Sequence, residues 1–321
     1  MTIPAVSIEA IGLPRKKKGY WQKILATLWR HRLLYLMVLP SLVFYSAFRF
    51  YPLVGNVIAF KDYQFSKGIW GSPWVGLEHL RRLFSDDLFL RALRNTASIG
   101  LQKLVINFPA PIIVALFLNE IRVLFYKRII QTIIYVPYFL SWIIYAAVLY
   151  IILSPTSGLV NTALEALGFQ KIFFFQKPAL FQPIVIISAI LKESGWATII
   201  YLAAISAINP ELYDAAAVDG ANRWQVMRHV TLPGLSFTIV TLFILQIGYF
   251  LNVGFEQVFV LQNPMIYSTA DIIETYIYRQ GIQLAKIDFT TAAGLFNSVV
   301  GIVMVLVADR LAKRMGLPGI F

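Results

Sequence analysis

Residues that could carry out chemistry are few in this sequence. There is no cysteine, which excludes disulfides and Cys-ligated metal sites. The three histidines, His31, His79 and His229, are far apart and do not form the H-E-x-x-H pattern of a zinc site. A G-x4-G-K-[S/T] phosphate loop is also missing. The sequence therefore predicts no metal site, no catalytic residue and no cofactor bound by this chain.

The remaining chemical signal is a set of ionisable residues inside apolar stretches. Lys103 interrupts one such stretch, and Lys192 and Glu193 interrupt another. Charged side chains are costly within a membrane and usually face a cavity or pair with one another. These residues therefore predict either a polar path through the membrane or, for Lys192, simple neutralisation by Glu193.

The composition indicates that membrane helices hold these residues. The 321 residues are 58% hydrophobic and 14% charged, with a mean hydropathy of +0.69, whereas about 25% of residues in soluble domains are charged. The sequence predicts an all-α polytopic membrane protein with six transmembrane helices. Since about 20 apolar residues cross a bilayer, the predicted spans are 33–53, 96–118, 130–153, 183–205, 235–254 and 289–308.

The distribution of Lys and Arg orients these helices. A net charge of +12 could indicate nucleic-acid binding, but basic residues of a membrane protein gather in cytoplasmic loops. They precede the first span and follow the second, fourth and sixth, which predicts that both termini are cytoplasmic. The loop 54–95 is an exception, because it carries six basic residues on the predicted outer side.

The N-terminal region is predicted to be a cytoplasmic basic segment, residues 1–32. Within it, Trp21, Ile24, Leu25, Leu28 and Trp29 recur at helical spacing. This pattern is typical of a helix in the membrane interface, or of an ordinary packed amphipathic helix. A cleaved signal peptide is not predicted, because no A-x-A site follows the apolar run. Residues 33–308 form the six-span domain, and 309–321 form a cytoplasmic tail.

Two connections on the predicted outer side have signals of secondary structure. In 154–182, Pro, Ser and Gly residues precede a short helix through Leu159, Ala163 and Leu167. In 256–288, Ser268 is the predicted N-cap of a helix that Gly281 ends. These short helices are predicted to lie on the outer surface.

The connection between the fourth and fifth spans has the signals of a helical hairpin, residues 209–233. Asn209 is a good N-cap, and Pro210 suits the first helical position, where its missing N–H has no cost. Gly220 lies where a left-handed residue would end the first helix. Asn222 and Gln225 form the pattern of a capping box that starts a second helix. A plain tether is usually shorter, so the hairpin is predicted to dock on a partner.

The second helix of the hairpin is predicted to stop at Pro233. Leu232, as the residue before a proline, is expected to leave helical geometry. The small residues Ala215, Ala216 and Ala217 near the turn would let another backbone approach closely. The alternative is that the hairpin only connects the two spans.

The hairpin resembles the EAA signature of binding-protein-dependent ABC importer permeases, E-A-A-x3-G-x9-I-x-L-P. Here the sequence reads Asp214-Ala215-Ala216, Gly220 and Val230-x-Leu232-Pro233, with the same spacing and with Asp for Glu and Val for Ile. Other stretches resemble the carbohydrate-uptake permeases of the maltose-transporter type: WVGLEHLRRLF (75–85), RNT (94–96), GLVNTALEALG (158–168), FEQVFVL (255–261). In sequence, these stretches are most similar to the permeases for alginate or galacturonate oligosaccharides.

This resemblance implies the type I ABC importer permease fold and a set of partners. It implies two ATP-binding subunits that carry ATP and Mg²⁺ and an extracytoplasmic solute-binding protein. It also implies a second homologous permease, which forms a heterodimer with this chain. The chain would not be an enzyme, and it would lie in the inner membrane. The hairpin residues implied to couple to the ATPase are Asp214, Ala215, Ala216, Gly220, Ala221, Leu232 and Pro233.

The resemblance also places a solute path between the fourth and fifth spans of the two permeases. The candidate path residues are Lys192, Asn252, Glu256 and Gln257. Asn252 and Glu256 are four residues apart, so a continuous helix would place them on one face. Alternatively, this end of the fifth span contacts the binding protein.

The expected cargo is an acidic oligosaccharide, because several cations lie at or near membrane depth. A neutral oligosaccharide is the alternative. An ion-coupled secondary transporter would show inverted repeats with paired ionisable residues, and a membrane-embedded enzyme would need clustered acids. Neither pattern is found in the sequence.

Overall fold

The computed structural model describes residues 27–317 and residue 319. This part of the chain is helical and contains no β-strand, only an isolated bridge between Lys61 and Trp74. The helices, in chain order, are α1 (Arg32–Phe60), α2 (Gly68–Gly71), α3 (Glu78–Leu83), α4 (Asp87–Glu120), α5 (Leu124–Phe139), α6 (Trp142–Ile152), α7 (Leu159–Ala166), α8 (Pro178–Ser206), α9 (Pro210–Val218), α10 (Arg223–Gly234), α11 (Ser236–Gly248), α12 (Phe255–Leu261), α13 (Tyr267–Ala270), α14 (Ile273–Ile277) and α15 (Ile287–Arg314).

The chain divides into two units, residues 1–56 and 57–321. The described part of the first unit holds most of α1, which includes the predicted first span, and no residue of Arg32–Tyr45 is buried. Most of the amphipathic helix predicted around Trp21 lies outside the described residues.

In the described part of the chain, four single helices are long and apolar enough to cross a membrane: α1, α4, α8 and α15. Two further pairs pass the same test but are bent, α5 with α6 by 108° and α10 with α11 by 59°. Six spans result if each bent pair crosses once. The predicted third span, 130–153, is therefore not one continuous helix, because the chain breaks near Ser141, whose hydroxyl caps α6.

The predicted fifth span, 235–254, was too long at its C-terminal end. Helix α11 ends at Gly248, and residues 249–254 form an irregular segment before α12. Gly254 has φ +99°, a left-handed conformation that favours glycine and ends regular helix. We call residues 249–254 the roof segment.

Helix α8 lies at the centre of the second unit. It packs against α4, α5 and α13, and its buried face includes Val185, Ala189, Gly195 and Thr198. A Cβ atom at Gly195 would collide with the backbone carbonyl of Ile134 in α5. Small residues allow such close crossing of membrane helices.

A second close approach joins α4 to the roof segment. A Cβ atom at Gly100 would collide with the backbone carbonyl of Phe250. The glycine therefore lets the roof segment pack directly on the α4 backbone, beneath the apolar cluster of Ile99, Val253 and Val258.

The short helix predicted in 154–182 is confirmed as α7, and a buried asparagine organises its surroundings. Asn161 donates its amide to the carbonyls of Ser154 and Ile172, both at 3.0 Å, and accepts from the Ile172 N–H at 2.8 Å. The side chain is fully buried, so these bonds hold the segments of the loop before and after α7 together.

The segment 256–288 differs from the prediction. Ser268 lies inside α13 rather than at an N-cap, and α14 starts where the Ile272 N–H donates to the Thr275 hydroxyl. Gly281 does not end a helix but lies buried in a π-helical turn, Tyr278–Gln283. A tertiary bond sets the start of α14, because the Thr96 hydroxyl of α4 accepts from the Ile273 N–H at 2.9 Å.

Candidate functional site

The first helix of the hairpin begins and ends as its sequence predicts. The Asn209 side chain accepts from the Glu211 N–H at 3.1 Å, with Pro210 at the first helical position. At the other end, Gly220 has φ +73°. The N–H groups of Gly220 and Ala221 return to the carbonyls of Ala217 and Ala216, which is the complete Schellman arrangement.

The second helix begins with the predicted capping box. The Asn222 side chain accepts from the Gln225 N–H at 3.0 Å, and the Gln225 side chain accepts from the Asn222 N–H at 2.7 Å. Both ends of the turn are therefore fixed by local hydrogen bonds, which makes the tip of the hairpin rigid.

The predicted stop at Pro233 was wrong. Leu232 keeps helical angles (φ −66°, ψ −43°), and α10 runs on through Pro233 to Gly234. A proline clashes with the carbonyl four residues earlier in a regular α-helix. Here the preceding turn, Met227–Thr231, is π-helical and wider, so the helix passes the proline and bends only near Leu235.

The tip of the hairpin exposes both small and apolar side chains. The lining of an open groove of about 420 Å³ includes the small residues Ala215, Ala216, Gly220 and Ala221. Val218 is 89% exposed and Trp224 is 66% exposed. The exposed Asp214 carboxylate has no partner within the described part of the chain. Exposed apolar surface beside polar groups is typical of sites that bind another protein.

The base of the hairpin is joined to the membrane helices by packing. The Tyr213 hydroxyl lies 3.2 Å from the Thr231 hydroxyl, which braces α9 against α10. Leu235, directly after α10, is fully buried with Tyr201 and Ile205 of α8. The base of the hairpin is therefore in close-packed contact with α8.

A cavity of about 470 Å³ lies among α4, α8, α11 and the roof segment. Its apolar lining includes Phe108, Leu242 and Val253. The charged and amide side chains in its wall are Lys103, Asn107, Glu193, Gln246 and Asn252. An apolar cavity with a few convergent polar groups is typical of a binding site for a small molecule.

Lys103 lies where the roof segment closes over the cavity. Its ammonium donates to the Val253 carbonyl at 2.7 Å and to the Gln257 side-chain oxygen at 2.8 Å. Helix α4 is π-helical over Lys103–Asn107, just before Pro109, which widens the helix at this point. Such π-turns are frequent at functional sites.

Gln257 is buried below the roof and connects three helices. Besides accepting from Lys103, its amide donates to the Val185 carbonyl at 2.7 Å and to the Ser188 hydroxyl at 3.0 Å, both on α8. Every polar atom of this side chain is thus bonded within the protein. Gln257 positions Lys103 and does not line the cavity.

Of the four predicted path residues, only Asn252 is among those that line the cavity. Asn252 also accepts from the Asn297 amide of α15 at 2.9 Å. Glu256 is exposed on α12, outside the cavity lining. The prediction that Asn252 and Glu256 share a helical face was wrong, because the left-handed Gly254 separates the two residues.

Lys192 is buried in α8 but is not among the residues that line the cavity. Its ammonium donates to the Tyr138 carbonyl at 3.0 Å and lies over the rings of Tyr138 and Trp142, 5.4 and 5.2 Å from the ring centres. These residues flank the 108° bend between α5 and α6. Within the described residues, aromatic faces and a carbonyl surround this charge, and no ion pair joins it to Glu193.

Outside the spans, Glu274 of α14 lies behind the roof segment. Burial raises the pKa of its carboxyl group, while the positive charge of Lys103 and a hydrogen bond from the Gly254 N–H act in the opposite direction. Lys103, through the Val253 carbonyl, and Glu274, near Gly254, therefore both contact the roof segment.

Comparison with known proteins establishes the family. Residues 107–317 match the family model described as "Binding-protein-dependent transport system inner membrane component". The chain belongs to this family. The match covers α8, the hairpin, the cavity wall from Asn107 onward and α15.

Two curated relatives of this permease are from Bacillus subtilis. The polygalacturonan/rhamnogalacturonan transport system permease protein YteP is 42% identical over 317 residues, which is 99% of this chain and 98% of the relative. Protein LplB is 42% identical over 297 residues, 92% of this chain and 93% of the relative.

A solved structure extends the similarity to the fold. It is a chain of a bacterial alginate ABC transporter in complex with an alginate pentasaccharide-bound periplasmic protein. The match has 41% identity and a TM-score of 0.86, and it covers 93% of this permease and all of that chain. The predicted all-α, type I ABC importer permease fold is confirmed, and the permease is a multi-pass, non-catalytic component of a transporter.

The sequence contains signals for some cavity residues that the prediction left out. Lys103 was recognised as a charge inside an apolar stretch, which is itself a signal for a cavity residue, yet it was not among the predicted path residues. Glu193 was named as an ionisable residue that faces a cavity, with neutralisation of Lys192 as the alternative; it lines the permease cavity, yet it was not among the predicted path residues. Gln246 and Asn107 are isolated polar residues whose orientation depends on helix packing, so no local signal selects them.

Proposed function

We propose that this permease is one of two transmembrane subunits of an ATP-driven importer for oligosaccharides. The cargo passes from an extracytoplasmic solute-binding protein into the cytoplasm. A second homologous permease completes a heterodimer, and two ATP-binding subunits, which hold ATP and Mg²⁺, dock on the cytoplasmic side. The permease spans the cytoplasmic (inner) membrane with both termini in the cytoplasm.

The observation that carries this proposal is the hairpin 209–233. Its two capped helices form a rigid tip with an exposed apolar surface, and Leu235 joins its base to the core of the membrane helices. Closure of the ATPase dimer would displace the tip, and α10 would transmit that displacement to α8 and α11, which line the cavity. Alternating access follows, because the cavity opens first to one side and then to the other.

The residues assigned to this coupling have distinct roles. Asp214 forms a charge-assisted bond to the ATPase, and Ala215 and Ala216 allow its backbone to approach. Gly220 and Ala221 shape the turn. Leu232 and Pro233 lie in the continuous helix that leads from the tip to the fifth span.

The proposed cargo is acidic, an alginate or galacturonate oligomer. The names of the relatives support this choice, since one transports polygalacturonan or rhamnogalacturonan and one is an alginate transporter. Lys103 in the cavity wall supplies a cation in the solute path. A neutral oligosaccharide is the second candidate, favoured by Glu193 in the same wall.

Reconstitution of the whole complex tests the cargo. ATPase activity should be stimulated by the binding protein loaded with a uronate oligomer and not by one loaded with a maltooligosaccharide of equal length. If only the binding protein loaded with the maltooligosaccharide stimulates the ATPase, the proposal of an acidic cargo is wrong and the cargo is neutral.

Purification in mild detergent tests whether the permease belongs to an ATP-driven transporter. An ATP-binding subunit should co-purify with the permease, and vesicle uptake should require ATP. Uptake without ATP, driven by an ion gradient, would instead identify a secondary transporter.

A further inference from the structure

One cation and one carboxylate lie in the wall of the membrane cavity. Lys103 comes from α4 and Glu193 from α8, and both line the same space of about 470 Å³. Lys192, the neighbour of Glu193, is held at the α5–α6 bend by Tyr138 and Trp142 and does not line the cavity. The charged side chains that line this space, among the described residues, are therefore Lys103 and Glu193.

The Lys103 ammonium is fixed in position but not saturated. Two of its three N–H donors are used, on the Val253 carbonyl and the Gln257 side chain. Gln257 is in turn fixed by two bonds to α8, so the ammonium cannot shift without breaking a buried network. A lysine has three donors and no acceptor, which leaves one donor for a ligand in the cavity.

The Glu193 carboxylate is in the opposite situation. It is exposed to the cavity and accepts no hydrogen bond within the described part of the chain. An ionised carboxylate only accepts, through up to four lone pairs. Asn252 and Gln246 lie in the same wall and can either donate or accept.

We infer that this wall binds one sugar unit through two groups with different selectivity. Lys103 binds the carboxylate of a uronate unit, and Glu193 accepts hydrogen bonds from hydroxyl groups, which acidic and neutral sugars share. Lys103 is thus the specificity-determining residue for an acidic cargo. This inference rests on the proposed function and assigns its selectivity to a single side chain.

The physical reason for the assignment is the cost of desolvating the cargo. A carboxylate that leaves water for a partly apolar cavity needs a positive partner there. Hydrogen bonds to charged groups contribute more than neutral ones, about 1.5–3 kcal/mol. Loss of the Lys103 charge should therefore weaken uronate binding by roughly tenfold or more, and should leave a neutral sugar almost unaffected.

The test measures equilibrium binding to the purified complex without the binding protein, so that the selectivity of that protein does not enter. The probes are a galacturonate trisaccharide and the same trisaccharide with its carboxyl groups reduced to alcohols. The wild-type complex should prefer the acidic form. Lys103→Gln should remove this preference, and Lys103→Arg should keep much of it.

Glu193→Gln is the matched variant, because Glu193 has no hydrogen bond to lose within the described residues. It should weaken binding of both trisaccharides several-fold and leave their ratio unchanged. It also keeps the inference testable if Lys103→Gln does not assemble, because selective loss of one trisaccharide in Glu193→Gln would contradict the division of roles.

The outcomes separate this inference from the proposed cargo. If the wild-type complex prefers the acidic trisaccharide and Lys103→Gln retains that preference, the assignment to Lys103 is wrong and the acidic cargo stands. If the wild-type complex prefers the reduced form, both are wrong. If it binds neither form while vesicles still take up uronate oligomers, the cavity assignment alone is overturned.

Discussion

At the scale of single residues, Lys192 is buried and Lys103 is half-buried, and the two lysines of the spans have different environments. Lys103 has bonds to a carbonyl and an amide oxygen and lines a cavity. The Lys192 ammonium contacts one carbonyl and the faces of two aromatic rings, and Trp196 stacks on one of these rings, Tyr138, with ring centres 4.8 Å apart. An ammonium held by aromatic faces in a low-dielectric setting is stabilised by cation–π attraction.

We therefore expect Lys192 to hold the bend between α5 and α6. Lys192→Met should destabilise the permease by about 1–3 kcal/mol, because the Tyr138 carbonyl loses its hydrogen-bond donor at a partly buried contact. Lys192→Arg, which keeps the charge and the donors, is the control and should cost less. Thermal unfolding of the purified complex measures the difference. Normal stability with reduced uptake in Lys192→Met would support the path role predicted from the sequence instead.

At the scale of elements, the hairpin depends on one backbone conformation. Gly220 has φ +73°, and a Cβ atom there would meet nothing within 4 Å. The requirement for glycine is therefore conformational and not steric. A non-glycine residue in the left-handed region costs about 1–2 kcal/mol, and asparagine is tolerated best.

Gly220→Val should consequently open the turn, lower uptake strongly and reduce co-purification of the ATP-binding subunit. Gly220→Asn is the matched control, and it should retain most of both activities. Since the space around Gly220 is open, a difference in uptake between Gly220→Val and Gly220→Asn cannot be attributed to a clash within this chain. Normal uptake and normal assembly in Gly220→Val would exclude the coupling role of the hairpin.

The roof segment is a second element that depends on a glycine, here for steric reasons. Gly100→Ala should push the roof away from α4, because its Cβ would meet the Phe250 carbonyl. Overpacking of this kind costs about 1–3 kcal/mol. Gly294→Ala in α15 is the control, since nothing lies within 4 Å of its Cβ, and it should be neutral or slightly stabilising. Equal melting temperatures for the two variants would contradict the close packing of the roof.

Local signals explain which elements the sequence could predict. The caps at Asn209, Gly220 and Asn222 act over three to five residues, so the hairpin turn was predicted in detail. The break at Ser141 and the end of α11 at Gly248 were missed, because apolar composition continues across both. The passage of α10 through Pro233 was missed because a π-helical turn relieves a clash that proline normally causes.

At the scale of the whole molecule, topology is the remaining prediction. The chain has no cysteine, so single introduced cysteines report their side of the membrane without background. Val218 in the hairpin is 89% exposed and Leu167 after α7 is 73% exposed. With cytoplasmic termini, these two positions lie on opposite sides.

Leu167→Cys should react with a membrane-impermeant maleimide in intact cells. Val218→Cys should react only after the membrane is permeabilised, or in inverted vesicles. The two variants control for each other, since both side chains are exposed and lie at the C-terminal ends of short helices. Labelling of Val218→Cys in intact cells would invert the topology and remove the hairpin from the cytoplasmic side.

The sequence by itself determined the all-α membrane class, the hairpin with its caps and its glycine turn, and the family resemblance. These features depend on composition and on hydrogen bonds between residues close together in the chain. The tertiary structure decided which polar side chains share the cavity. Lys103, Glu193 and Asn252 are 59 to 149 residues apart in the chain, and only the packing of α4, α8 and the roof segment brings them into one wall. Packing likewise decided that Lys192 and Gln257 contact neighbouring helices and do not line the cavity, since their partners, Tyr138 and Ser188, are known only once the helices are in contact.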